Sequence, residues 1–273
     1  MTDNALPSLI TQALAPGVRL RALTELLDRL HPDAEVRALR VTVPHELPVS
    51  EILAAQYPAG YWMHPGLGIS PHYRATAWQL LFLAQLGMPR TPAVERAVDV
   101  LLEQNRDDTG AFRLHKGRDG RSLALTGALL WALARLDFAG DPRLSKTWTW
   151  VTDRLHRAPP APPAATWCLR AAVVWGRDAL AHCLIPHIKL AALLDELTFP
   201  LVLVPDRLAG TTALAEAGRA DAIPPSARAW LREKKTPQGW PLERVPGPLW
   251  WEPGLVDEPN PWVTLRALYV ERA

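Results

Sequence analysis

Three acids stand close together near the C-terminus: Glu252, Asp257 and Glu258, in the loop before a helix opened by Asn260-Pro261. Two carboxyls facing one cavity can divide acid and base work on a glycosidic bond, and one shielded carboxyl can donate a proton. The plainer reading is three solvated surface acids. A second pair, Asp107-Asp108, lies in a stretch rich in Asn, Asp and Gly, where these residues build turns. His182, Cys183 and His187 form the densest group of nitrogen and sulfur ligands. Cys183 and His187 are four apart and could share a helix face, as zinc requires. Pro186 lies between them and no third ligand is evident, so neither a metal nor a cofactor is expected. Lys116, Arg118 and Arg121 could meet a diphosphate at a helix N-terminus, or could simply be a solvated basic loop. No nucleophile-elbow sequence appears.

The tryptophans say more. There are 12, against 4 Phe and 4 Tyr. Trp78, Trp131 and Trp262 lie on or at the start of strongly apolar helices, Trp167 and Trp175 lie on another, and Trp250-Trp251 occupies a long turn. Core packing explains most of them, but indole faces also stabilise cations and line cavities for flat or chain-like apolar ligands. Trp78, Trp131, Trp167, Trp250 and Trp251, with His72 and Tyr73, are therefore the candidate ligand-binding residues.

These side chains need helices to place them. Thr91-Pro92 is an N-cap with proline at the first helical position, and Val94, Ala97, Val98, Leu101 and Leu102 give one buried face. After the turn Asn105 to Gly110, the helix from about Ser122 to Leu136 is apolar on nearly every side, which predicts burial all round. The pair repeats. Leu53-x-x-Gln56 recurs as Leu101-x-x-Gln104, 48 residues later. Gly60-x-Trp62 recurs as Gly110-x-Phe112, and Thr76 as Thr126, each 50 residues later. A period of this size means a helical array. Ser70-Pro71 is expected to open the earlier inner helix. Asp141-Pro142 opens a third outer helix, and Thr166 starts a third inner one. The fourth unit, about 178–220, is cut by Pro186, Pro200 and Pro205, and Gly239-Trp240 with the helix from Trp262 to Tyr269 restores the pattern. Residues 6–31 predict two helices split at Pro16-Gly17 with a leucine stripe from Leu20 to Leu30, and Val41 to Pro44 reads as extended. Inner helices without a polar face need neighbours on both sides, so the array is expected to close.

The form Leu-x-x-Gln, a short turn, then Gly-x-aromatic resembles the QW repeat of squalene-hopene cyclases and the glycine-aromatic repeats of protein prenyltransferase β-subunits. The likeness runs from about residue 50 to the C-terminus. It implies an α/α toroid, a closed double ring of about five to six helical hairpins, and structural roles for Gln56, Trp62, Gln104, Phe112 and Trp240. The chain departs from both families in its chemistry. It has no Asp-x-Asp-Asp acid and no Asp-Asp-x-x-Asp. The zinc-binding Asp-x-Cys is also missing: Asp119-Gly120-Arg121 carries no cysteine, and Thr166 stands where the Asp before Cys168 would be.

The expectation is a single all-α domain over residues 1–273, with 1–50 a helical extension. It would bind an isoprenoid-like or other apolar small molecule in a central cavity lined by Trp78 and Trp131. Glu252, Asp257 or Glu258 would carry any catalysis. The alternatives are a non-catalytic toroid that binds a lipid or a protein partner, and an (α/α) barrel glycosidase-like hydrolase. A net charge of +2 gives no electrostatic case for nucleic acid. Two cysteines suit a reducing, cytoplasmic compartment. The N-terminus lacks a basic n-region, and no run is apolar enough for an integral membrane segment, which leaves room only for peripheral membrane contact.

Overall fold

The computed structural model describes residues 15–29 and 32–273. The helix expected from residue 6, and Leu30 of the stripe, lie outside those residues. Among the described residues the regular structure is helical, with isolated bridges in place of strands. The elements are α1 (Pro16–Arg21, continued by a wider turn Ala22–Leu26), α2 (Ala34–Thr42), α3 (Val49–Ala54), α4 (Thr76–Gln85), α5 (Pro92–Gln104) and α6 (Leu123–Leu133). They continue as α7 (Ser145–Arg157), α8 (Pro162–Val174), α9 (Asp178–Leu184), α10 (Arg207–Glu216), α11 (Pro225–Glu233) and α12 (Pro261–Arg272). None of these helices is long and apolar enough to cross a membrane.

Two kinds of helix alternate. Every residue of α4 is buried, and α6, α8, α10 and α12 are buried along nearly all their length. By contrast α5, α7 and α11 bury one stripe and expose the other side. The buried helices pack in sequence, α4 on α6, α6 on α8, α8 on α10 and α10 on α12, and α12 packs on α1. Arg21 in α1 donates from Nη1 to the Gln85 carbonyl at the end of α4, at 3.0 Å.

The repeated motif makes a repeated bond. The Trp62 N–H donates to Thr76 Oγ1 at 3.2 Å, Phe112 N–H to Thr126 Oγ1 at 3.1 Å, and Trp240 N–H to Thr264 Oγ1 at 2.9 Å. Each bond ties the aromatic turn to a buried helix. The Trp62 indole N–H reaches back to the Ile52 carbonyl in α3, and Trp240 to the Leu231 carbonyl in α11. Gly60 and Gly110 hold φ of 95° and 97°, and a side chain there would meet the carbonyls of Arg96 and Lys146 on the following outer helix at 2.6 Å. Only glycine meets both demands. Gln56 joins the turn to that same helix, donating to the carbonyls of Gly60 and Ala93. Gln104 differs, accepting from the Gly66 N–H.

Three expected boundaries need correction. Ser70-Pro71 opens turns, not a helix, because Tyr73 adopts φ 64°, so α4 waits for Thr76. Val41 to Pro44 is helical. Asp33 caps α2 through the N–H groups of Glu35 and Val36, and Val36, Leu39 and Val43 pack inward, which outweighs the β-branched preference for strand. The third inner helix starts at Pro162, before Thr166; two prolines fit a first helical turn, where no N–H is needed.

A charged knot joins α1 to the end of α6. Glu25 accepts from Arg21 at 2.8 and 3.0 Å and pairs with Arg135. Burial works against its charged form, but Arg135 and Arg21 overcome this and bring its pKa from 4.5 to about 2. A carboxyl depressed on folding stabilises the fold above its unfolded pKa, and the gain is lost as pH falls through the folded value. Glu25→Gln is therefore expected to cost about 3 kcal/mol at pH 7 and to flatten the stability curve between about pH 5 and pH 2. Urea midpoints across that range provide the check, and parallel curves for the two proteins would refute it.

Candidate functional site

The most informative stretch is one that the sequence leaves featureless. Residues 197–202, between α9 and α10, run without helix among α4, α8, α10 and α12, and all of them are buried. Irregular backbone inside a core must find partners for its polar groups. Here the buried helices supply them. Gln85 of α4 bonds both ways to Leu201, accepting from its N–H at 2.6 Å and donating to its carbonyl at 2.9 Å. The Trp167 indole N–H of α8 donates to the Val202 carbonyl at 3.0 Å. Arg266 of α12 donates to the Thr198 carbonyl at 2.6 Å, and the Thr198 N–H donates to Asp206 Oδ2 at 2.8 Å. Asp206 is fully buried, caps α10 through the Ala209 N–H at 2.6 Å, and pairs with Arg266 at 3.2 Å. Phe199 stacks on Trp262 with centroids 5.3 Å apart and meets Trp251 edge-on.

Trp131 is 1% exposed, packs on Trp167 at 5.6 Å, and lies under the Arg170 guanidinium at 4.5 Å. Arg170 in turn forms a two-pronged pair with Glu216 at 2.9 Å. The expectation that Trp78 and Trp131, two and five residues after Thr76 and Thr126, wall one cavity is corrected: Trp131 packs on Trp167 of α8, while Trp78 faces the loop that carries His72 and Tyr73. Trp167 is likewise a core residue, fully enclosed.

Trp78 does line a cavity, of about 560 Å³. Its indole N–H is fixed by the Ile69 carbonyl at 2.8 Å, and it meets Tyr73 and His72 edge-on at 5.2 and 5.7 Å. Opposite stand Leu194 and Val202 to Val204, with Leu114, His115 and Arg244 completing the wall. Leu114 and Val204 are 38% and 47% exposed, apolar side chains left open to solvent. The loop is held by local bonds: Ala77 N–H to the Gly68 carbonyl, and Gln79 Nε2 to the Tyr73 carbonyl. Three of the candidate ligand residues, His72, Tyr73 and Trp78, thus come together.

Trp250 and Trp251 belong to a different cleft, of about 880 Å³, where Glu252 and Glu258 lie with Glu46 and Glu51 from the other side. Asp257 does not line it; its φ of 66° and its N–H bond to the Leu242 carbonyl mark a turn residue. All three catalytic candidates are exposed. A carboxyl that protonates an alkene needs shelter from water, and these have none. Asp107 is a turn former, accepting from Thr109 and Ala111 N–H groups and pairing with Arg121, while Lys116 and Arg118 stay exposed. His182 and Cys183 are exposed, and among the described residues no three His, Cys, Asp or Glu are placed to hold an ion.

The sequence reading missed Gln85, Arg170, Asp206, Glu216 and Arg266. Their signal was available: a lone arginine in an otherwise apolar helix, as in Trp167-Cys168-Leu169-Arg170-Ala171 and Thr264-Leu265-Arg266-Ala267, requires a buried partner. Compared with protein-family models and with curated proteins, the chain matches none.

Proposed function

We propose that this chain is a single α/α toroid domain, similar to terpenoid cyclases and prenyltransferase β-subunits, that binds an isoprenoid-like or other apolar small molecule without turning it over. The toroid reading is supported by the sequential packing of α4, α6, α8, α10, α12 and α1, by the Arg21–Gln85 bond between the first and last of that series, and by the aromatic-to-threonine bond made three times. The binding reading is carried by one observation, the cavity of about 560 Å³ floored by Trp78, Tyr73 and His72. Burial there contributes about 25 cal/mol per Å² of ligand surface, enough for a farnesyl-sized chain to bind without a hydrogen bond. The exposure of Glu252, Asp257 and Glu258 favours binding over catalysis.

Farnesol or geranylgeraniol titrated against intrinsic fluorescence is expected to quench at micromolar ligand. Trp78→Ala is expected to weaken binding at least about tenfold, a loss of about 1.4 kcal/mol. Trp250→Ala should leave it unchanged. Absence of quenching in the native protein, or equal affinity in Trp78→Ala, refutes the assignment.

A further inference from the structure

The cleft at Trp250 has a chemistry of its own. Its apolar surface comes from Trp250, Trp251 and Trp262 with Leu47 and Leu255. Leu47 and Leu255 are 63% and 64% exposed, and Val256 beside them is 49% exposed. Such a concentration of uncovered apolar side chains marks a contact surface.

The polar groups around it share one sign. Glu46, Glu51, Glu252 and Glu258 line the cleft, and no lysine, arginine or histidine does so among the described residues. None of the four has an ion-pair partner among those residues, whereas Glu35, Glu95, Glu216 and Glu243 each have one. Pro48, Pro253, Pro259 and Pro261 fill much of the remaining wall, and proline offers no N–H. The cleft therefore presents carboxylates beside apolar side chains, with no cationic group among the described residues to neutralise them, and carboxylates seek a donor-rich cation. The cleft lies between the α2–α3 connector and the loop before α12. Aromatic grooves commonly take extended peptides.

The geometry points to this cleft as the docking site for an extended basic segment of a partner protein, with arginine or lysine against the glutamates and apolar residues against Trp250 and Leu255. Anionic lipid surfaces are disfavoured by the same charge.

A fluorescein-labelled Arg-Leu-Pro repeat peptide tests this by anisotropy with the full-length protein, against a Glu-Leu-Pro repeat of equal length and against choline. The basic peptide alone is expected to bind, more weakly as salt rises. Glu252→Lys/Glu258→Lys should weaken it at least about tenfold. Both residues are exposed, so an unchanged melting temperature confirms an intact fold. Trp250→Ala should also weaken it, while Trp78→Ala should not. Equal binding of the acidic peptide, no binding of the basic one, or indifference to the double charge reversal overturns the proposal. So does choline binding without peptide binding, or a dimer in sedimentation that the charge reversal dissociates.

Discussion

Replacing Arg266 with alanine is expected to cost the fold about 3–5 kcal/mol, the range for removing the partner of a buried charge. Asp206 has no exposed surface, and Arg266 supplies both guanidinium nitrogens to its carboxylate at 3.2 Å. Loss of Arg266 also removes the donor to the Thr198 carbonyl. The pair therefore latches residues 197–202 to α10 and α12. A double-mutant cycle separates this role from plain packing. Asp206→Asn and Arg266→Met together should cost clearly less than the sum of the single changes, because the second substitution removes a charge already left alone. Denaturant midpoints give the energies, and amide exchange at Leu201 should quicken in Arg266→Ala. A cost below about 1 kcal/mol would mean that water reaches Asp206 and the latch is not closed.

Trp62→Ala is expected to be as damaging, at about 3–5 kcal/mol, the usual cost of truncating a buried aromatic residue. Trp62 is fully enclosed, and its indole bond to the Ile52 carbonyl at 2.6 Å holds α3 to the turn. Trp250 is half-buried at the rim of the acidic cleft, so Trp250→Ala should cost about 1 kcal/mol or less. Denaturant midpoints in the opposite order would remove the repeat motif from its structural role.

The parts legible in the sequence were those fixed by short-range rules. Thr91 capping α5, the glycines at 60 and 110, and the aromatics two residues later depend on neighbours within one turn. They survived into the structure with their register intact. The same rules misled where a single residue overrode them. Tyr73 delayed α4 past a sound Ser70-Pro71 signal, and the Asp33 cap carried α2 through a β-branched run. The candidate site was legible only in part. Tyr73, His72 and Trp78 are close in sequence and meet, but the wall opposite comes from residues more than a hundred positions away. Residues 197–202 have no periodicity to read, and their partner Gln85 stands 116 residues from Leu201. Trp78 and Trp131 fall two and five residues after the repeated threonine, a spacing that suggests one helix face, yet what each indole faces is set by long-range packing that the period does not encode.

A crystal structure of the protein grown with geranylgeraniol tests the central claim most directly. The account predicts ligand density against the Trp78 indole, between Tyr73 and Val202 to Val204, with Phe199 still stacked on Trp262 and the Asp206–Arg266 pair closed. Density between Trp131 and Trp167 with residues 197–202 displaced, or a cavity at Trp78 that stays empty at saturating ligand, would contradict it.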